Sequence, residues 1–150
     1  MRFSCVQLPE DSPSTVHSLV PFAWAECIEL RWTGGPVEAV QRFCNSVEGH
    51  NRFELAAYAD DGSLVGGCVL APDEDQHVGT CLSVMWHYVI PEQRQGAIGR
   101  RFMRLAVNCA KAGGFPVMAY SHRIGVGRYE ITYRWLHGQD STNPWTVPRL

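Results

Sequence analysis

The sequence predicts a single α/β domain, a sheet flanked by helices, and three segments carry that expectation. Two apolar runs, 53–59 and 63–71, flank Asp60-Asp61-Gly62, a tight-turn signal that makes them a β-hairpin. Residues 97–112 place Ile98, Phe102, Leu105, Ala106, Cys109 and Ala110 on one helical face, while Arg100, Arg101, Arg104, Asn108 and Lys111 lie largely off it. Residues 129–136 alternate Tyr129, Ile131, Tyr133 and Trp135 with Glu130, Thr132 and Arg134, which is the period of a strand.

From the N-terminus, 3–8 alternates apolar and polar residues and reads as a strand. Ser12-Pro13 then offers an N-cap with proline at the first helical position, so a helix is expected through 14–27, broken or kinked at Pro21. Arg31 to Gly35 reads as a loop. Residues 36–46 form a second helix with Val37, Val40 and Phe43 on one face. After the hairpin, Ala71-Pro72-Asp73-Glu74-Asp75-Gln76 is expected to be a solvated acidic loop, and 80–90 a long strand ended by Pro91. The long helix stops at Gly113-Gly114 and Pro116. Residues 117–123 and 129–136 are the last two strands, joined by 124–128, which is too short for a helix and suits a hairpin. Residues 1–136 thus make one domain, and 137–150, rich in small polar residues and proline, a tail without regular structure. Trp145 between Pro144 and Pro148 suggests that this tail docks on its own chain or on a neighbouring copy.

A chain of 150 residues with net charge −2 builds one core and carries no basic block, which argues against a nucleic-acid or membrane partner and for a small-molecule or protein one. No apolar run is long enough to span a bilayer, and the first residues lack the apolar core of a secretory signal, so a cytoplasmic location is expected. The six cysteines are scattered among apolar neighbours without a C-x-x-C pair, which reads as free thiols rather than a metal site.

The chemistry concentrates between Tyr88 and Arg101, where a strand passes through a glycine-containing turn into the amphipathic helix. Such a turn aims backbone N–H groups at one point beside the positive end of the helix dipole, and that is an anion site. Arg100 and Arg101 oppose the dipole unless an anion compensates them, which supports the reading.

The run Val89-Ile90-Pro91-Glu92-Gln93-Arg94-Gln95-Gly96-Ala97-Ile98-Gly99 resembles the GNAT (Gcn5-related N-acetyltransferase) superfamily, whose loop reads R/Q-x-x-G-x-G/A before a long helix. Ala97 stands where the family has its middle glycine, and Gly96 lies one residue early. With the hairpin ending in Val65-Gly66-Gly67, the resemblance covers roughly residues 53–120. It implies a mostly antiparallel twisted sheet, here with the helix between the last two strands reduced or missing.

The resemblance also implies that the amides of Tyr88, Val89 and Ile90 run along the pantetheine of acetyl-CoA. Arg94, Gln95, Gly96, Ala97, Ile98, Gly99, Arg100 and Arg101 would surround its pyrophosphate, and the acetyl group would pass to a primary amine. The family's glutamate on the preceding strand is missing, which leaves His87 as the candidate base, with Tyr120, His122 or Tyr129 as further proton carriers. Each of these has a bland alternative as a packing or surface residue. Arg128-Tyr129-Glu130-Ile131-Thr132-Tyr133-Arg134 is similar to a run in compact phage-encoded members, some virion-associated. A catalytically degenerate binding or assembly module is therefore the second class of function to weigh.

Overall fold

A computed structural model describes residues 1–136. Strand β1 (Arg2–Leu8) leads to a 3₁₀ turn (His17–Leu19), helix α1 (Val20–Glu26), a second 3₁₀ turn (Ile28–Arg31) and helix α2 (Pro36–Val47). Strands β2 (Arg52–Tyr58), β3 (Leu64–Asp75) and β4 (Gly79–Val89) follow, then helix α3 (Ile98–Ala112) and strands β5 (Val117–Gly125) and β6 (Arg128–Trp135). The six strands lie in chain order in one sheet. Every neighbouring pair is antiparallel except β4–β5, which is parallel because α3 crosses between them.

Helix α3 covers one face, burying Ile98, Phe102, Ala106, Cys109 and Ala110 against Leu55, Leu70, Leu82 and Met118. Helices α1 and α2 cover the other, with Leu19, Val20, Ala39 and Phe43 against Ala56, Val69 and Tyr88. Gly66 and Gly67 permit both approaches. A Cβ on Gly67 would lie 2.9 Å from Val16 Cβ, and one on Gly66 would lie 3.3 Å from Ile98 and from Phe102. The absence of a side chain at Gly66 thus lets the start of α3 approach one face of the sheet, and its absence at Gly67 lets the segment before α1 approach the other.

The first helix departs from expectation. Residues 9–16 are not helical, and Pro21 lies in the first turn of α1 instead of breaking it, since a proline there forfeits no intrahelical bond. A buried carboxylate recruits the preceding segment: Glu54 Oε1 accepts from the Thr15 N–H at 2.6 Å, the Thr15 hydroxyl at 2.7 Å and the Ser14 hydroxyl at 3.4 Å. Arg52 donates to Glu54 Oε2 at 2.7 Å and to the Ser12 carbonyl at 2.6 Å, so the charge pair is compensated where both side chains are fully buried.

The expected acidic loop is also corrected. Residues 71–75 continue β3 and pair with 79–83 of β4. β2 ends opposite Leu70, leaving β3 an edge on that side, where Pro72 is tolerated. Asp75 closes the hairpin by accepting from the N–H groups of His77 and Val78. The β5–β6 connection is a hairpin whose ladder runs to Gly125 and Arg128, with no helix in it. The proposed tail, including Trp145, lies outside the described residues. Among those residues no helix is long and apolar enough to cross a membrane.

Candidate active site

The site arises where the sheet comes apart. Strands β4 and β5 pair at Leu82 with Met118 and at Ser83 with Ala119, and no further register pair joins them. Beyond that point a cleft of about 590 Å³ opens, walled by Met85 to Val89 of β4, Ser121 to Arg123 of β5 and Ala23, Glu26, Cys27 and Leu30 on the α1 side. The hairpin of β5 and β6 reaches over the same side, and its turn glycine Gly127 lies against Trp32.

A bulge sets which side chains enter the cleft. Val69 pairs with Trp86 but Leu70 with Val84, so Met85 has no partner on β3. Strict strand alternation would put Met85 with His87 on one face, and the bulge breaks it. Met85, Trp86 and Tyr88 all pack toward α1 and α2, while Val84 and Val89 pack toward α3. His87 is exposed at the gap, with Nε2 3.1 Å from the Ser121 carbonyl oxygen. A carbonyl only accepts, so Nε2 carries the hydrogen and Nδ1 is the basic atom of the neutral ring.

Two carboxylates on the α1 side are held by arginines from distant elements. Glu26 accepts from Arg94 at 2.5 and 2.7 Å and from the Tyr88 hydroxyl at 2.6 Å. Arg94 also donates to the Val89 carbonyl at 2.9 Å, so its guanidinium braces the loop against α1 instead of standing free toward an anion. The Arg94 contact holds the Glu26 carboxyl below the usual range against the opposing effect of burial. Burial and the neighbouring carboxylate push the Tyr88 phenol up. On the 3₁₀ turn after α1, Glu29 accepts from two cleft-lining residues, from Arg123, with one contact at 3.0 Å, and from the Tyr129 hydroxyl at 2.9 Å. The Arg123 contact lowers its pKa to about 2. Cys27, also lining the cleft, has its thiol pushed up by burial.

At the other end the cleft reaches Arg94 and Gly99. No side chain caps α3 and no acid lies in its first turn. The first amides of a helix have no intrahelical acceptor, and at this terminus Arg101 N–H is bonded to the Ala97 carbonyl at 2.9 Å. A Cβ on Gly99 would meet nothing within 4 Å, so the space before the helix is open.

Of the residues the sequence singled out, His87, His122, Tyr88, Val89, Arg94 and Gly99 come together in the cleft wall, as does Tyr129. Tyr120 does not; it packs against the core beneath α3. Ile90 likewise packs against core residues. The sequence reading missed Glu26, Glu29 and Arg123. The spacing of the two glutamates gave no helical signal, because the extended backbone at Cys27 separates the end of α1 from the 3₁₀ turn that carries Glu29. Among the described residues no group of acidic, cysteine or histidine side chains could hold a metal ion.

No family model and no curated protein matches the chain in sequence. Solved structures do match. The structure of AAC(6')-Iy in complex with the bisubstrate analogue CoA-S-monomethyl-acetylneamine is 16% identical, with a TM-score of 0.53 over 83% of this chain and 82% of that one. A ribosomal-protein-alanine N-acetyltransferase from Brucella melitensis is 16% identical, with a TM-score of 0.56 over 83% and 82%. A Desulfovibrio desulfuricans protein described as an acetyltransferase of the GNAT family is 16% identical, with a TM-score of 0.52 over 81% and 74%. Likeness at that identity establishes architecture, and by it the chain has the fold of the Gcn5-related N-acetyltransferase superfamily.

Proposed function

We propose that the protein is an N-acetyltransferase that moves the acetyl group of acetyl-CoA to a primary amine. The observation that carries this is one continuous cleft, running from the parted strands at His87 and Ser121 to the open first turn of α3 at Gly99. An elongated thioester with an anionic end suits such a cleft, and the CoA-containing analogue bound by AAC(6')-Iy lends the reading support. The pyrophosphate would lie against the backbone from Gln95 to Arg100, with Ala97 at the N-cap, Ile98 opening α3 and the Arg100 and Arg101 side chains near it. The pantetheine would pass along Tyr88 and Val89 toward Ile90.

In this reading His87 Nδ1 takes a proton from the acceptor ammonium, and the free amine attacks the thioester carbon. The C–N bond forms, the C–S bond breaks, the attacking nitrogen gives up its second proton and the departing thiolate takes one up, with His122 the cleft-lining candidate to relay it. The bulge leaves Met85 without a partner on β3, and in this reading its main chain would meet the thioester oxygen. The remaining task is positioning, and the two glutamate–arginine pairs serve it by fixing the α1 wall to the loop and to β5.

A ligand at about 100 times its Kd stabilises the native state by about 2.7 kcal/mol. Acetyl-CoA should therefore raise the melting temperature of the protein by about 5–10 °C. Gly99→Val should melt normally without ligand, because its side chain enters open space, and should lose the shift. An unshifted wild-type protein would overturn the proposal. Release of free CoA thiol on adding a panel of primary amines then tests turnover.

A second reading, a GNAT-fold binding or assembly module without catalysis, is favoured by one observation. Among the described residues no helix covers the β5–β6 hairpin, and Ile131 and Tyr129 stand 64% and 49% exposed. A CoA-binding protein with no turnover on any amine would support it, and a virion-associated role belongs to this reading.

A further inference from the structure

Away from the cleft, β1 and α3 meet along a seam with its own chemistry. Phe3 packs edge-on against Phe102, with ring centroids 6.0 Å apart and an interplanar angle of 89°. Arg101 lies over the outer side of the same Phe3 ring, 5.4 Å from its centroid. Two residues along the same face of β1, Cys5 meets α3 again, and its Sγ stands 3.6 Å from Sγ of Cys109. Phe102 and Cys109 share a helical face two turns apart, so the packing of strand on helix sets this sulfur contact. Both cysteines are free; Cys5 is exposed and Cys109 is 9% exposed.

We propose that Cys5 and Cys109 form a reversible oxidation site, converted by a hydroperoxide into a disulfide that ties β1 to α3. Cys5 reacts first, being open to solvent, whereas burial holds the Cys109 thiol up at about 12. The Cys5 sulfur attacks the hydroperoxide, the O–O bond breaks, and a sulfenic acid and the corresponding alcohol form. Cys109 sulfur then attacks the sulfenic sulfur; the S–S bond forms, the S–O bond breaks, and the thiol proton leaves with hydroxide as water. Two thiols together lose two electrons and the peroxide gains them. An external thiol reverses the change by exchange.

The bond would span 104 positions of the chain, from the first strand to the helix whose other end opens on the cleft. Closing so long a loop restricts the unfolded state strongly, so the oxidised protein should melt about 5–10 °C above the reduced one. This holds whether or not the cleft binds an acyl donor.

The test treats the folded full-length protein with hydrogen peroxide, quenches it, denatures it and counts thiols. The count should fall from six to four and return to six after reduction with dithiothreitol. Peptide mass mapping should find Cys5 joined to Cys109. Cys5→Ser, a change at an exposed position, should abolish both the cross-link and the thermal gain. The proposal is overturned if six thiols survive, if the cross-link joins other cysteines such as Cys68, or if Cys5 proceeds to sulfinic acid without a cross-link.

Discussion

The two halves of the β4–β5 pair differ in almost every respect. In the first, Leu82 and Met118 face each other in register, both fully buried beneath α3. In the second, the ladder stops, the strands part, and the gap is bordered by His87, His122 and charged side chains. One half is held by close packing of apolar groups; the other keeps its shape through hydrogen bonds and ion pairs that reach across it. The contrast teaches how a continuous sheet yields a site. A local bulge and a short ladder make the opening, and the packed half supplies the rigidity that lets it persist.

Substitutions can sharpen this division, here ordered by their expected effect on folding stability. Met118→Ala should cost about 2–5 kcal/mol, since it empties a site with no access to water, and chemical denaturation will measure it. A loss below 1 kcal/mol would mean that the closed half is not close-packed. The Glu29–Arg123 pair should matter less and should depend on pH. Its carboxyl is lowered from 4.5 to about 2, so its contribution is complete above pH 4.5 and disappears as pH falls toward 2. The difference in melting temperature between wild type and Glu29→Gln should therefore shrink over that interval, and a constant difference would show that the pair is not coupled to folding. His87→Ala should change stability by no more than about 0.5 kcal/mol, its side chain being exposed. Under the proposed chemistry it should nevertheless lower turnover by about 100-fold or more while acetyl-CoA still binds. Turnover that survives the substitution would move the base elsewhere in the cleft.

The legible parts of this fold were those written locally. Helix α3 announced itself by its apolar stripe, the β2–β3 hairpin by Asp60-Asp61-Gly62, and the candidate donor loop by its place between a strand and that helix. Pro21 misled because a proline that starts a helix and one that breaks it look alike until the preceding segment is placed. That segment is placed by Glu54, from another strand. The acidic run 71–75 misled because its strand character comes from pairing with β4 and not from composition. The cleft was the least legible part. Arg94 and Glu26 lie 68 positions apart, Arg123 and Glu29 lie 94 apart, and an ion pair leaves no periodic mark on a sequence. The parting of β4 from β5 is likewise a property of two strands and was written in neither.

The last strand carries a consequence for how copies of this molecule tolerate one another. Among the described residues β6 is the outermost strand of the sheet, and its eight residues are rich in the β-branched and aromatic types that invite lateral stacking. Yet Arg128, Glu130 and Arg134 punctuate it. Were identical strands to stack in register, as in a cross-β fibre, each of these charges would fall directly over its own kind about 4.8 Å away. The same residues can meet an ordered partner in another register without that conflict. Their charges therefore act as gatekeepers, raising the cost of indiscriminate fibre growth at high concentration while leaving the edge available for a specific fit.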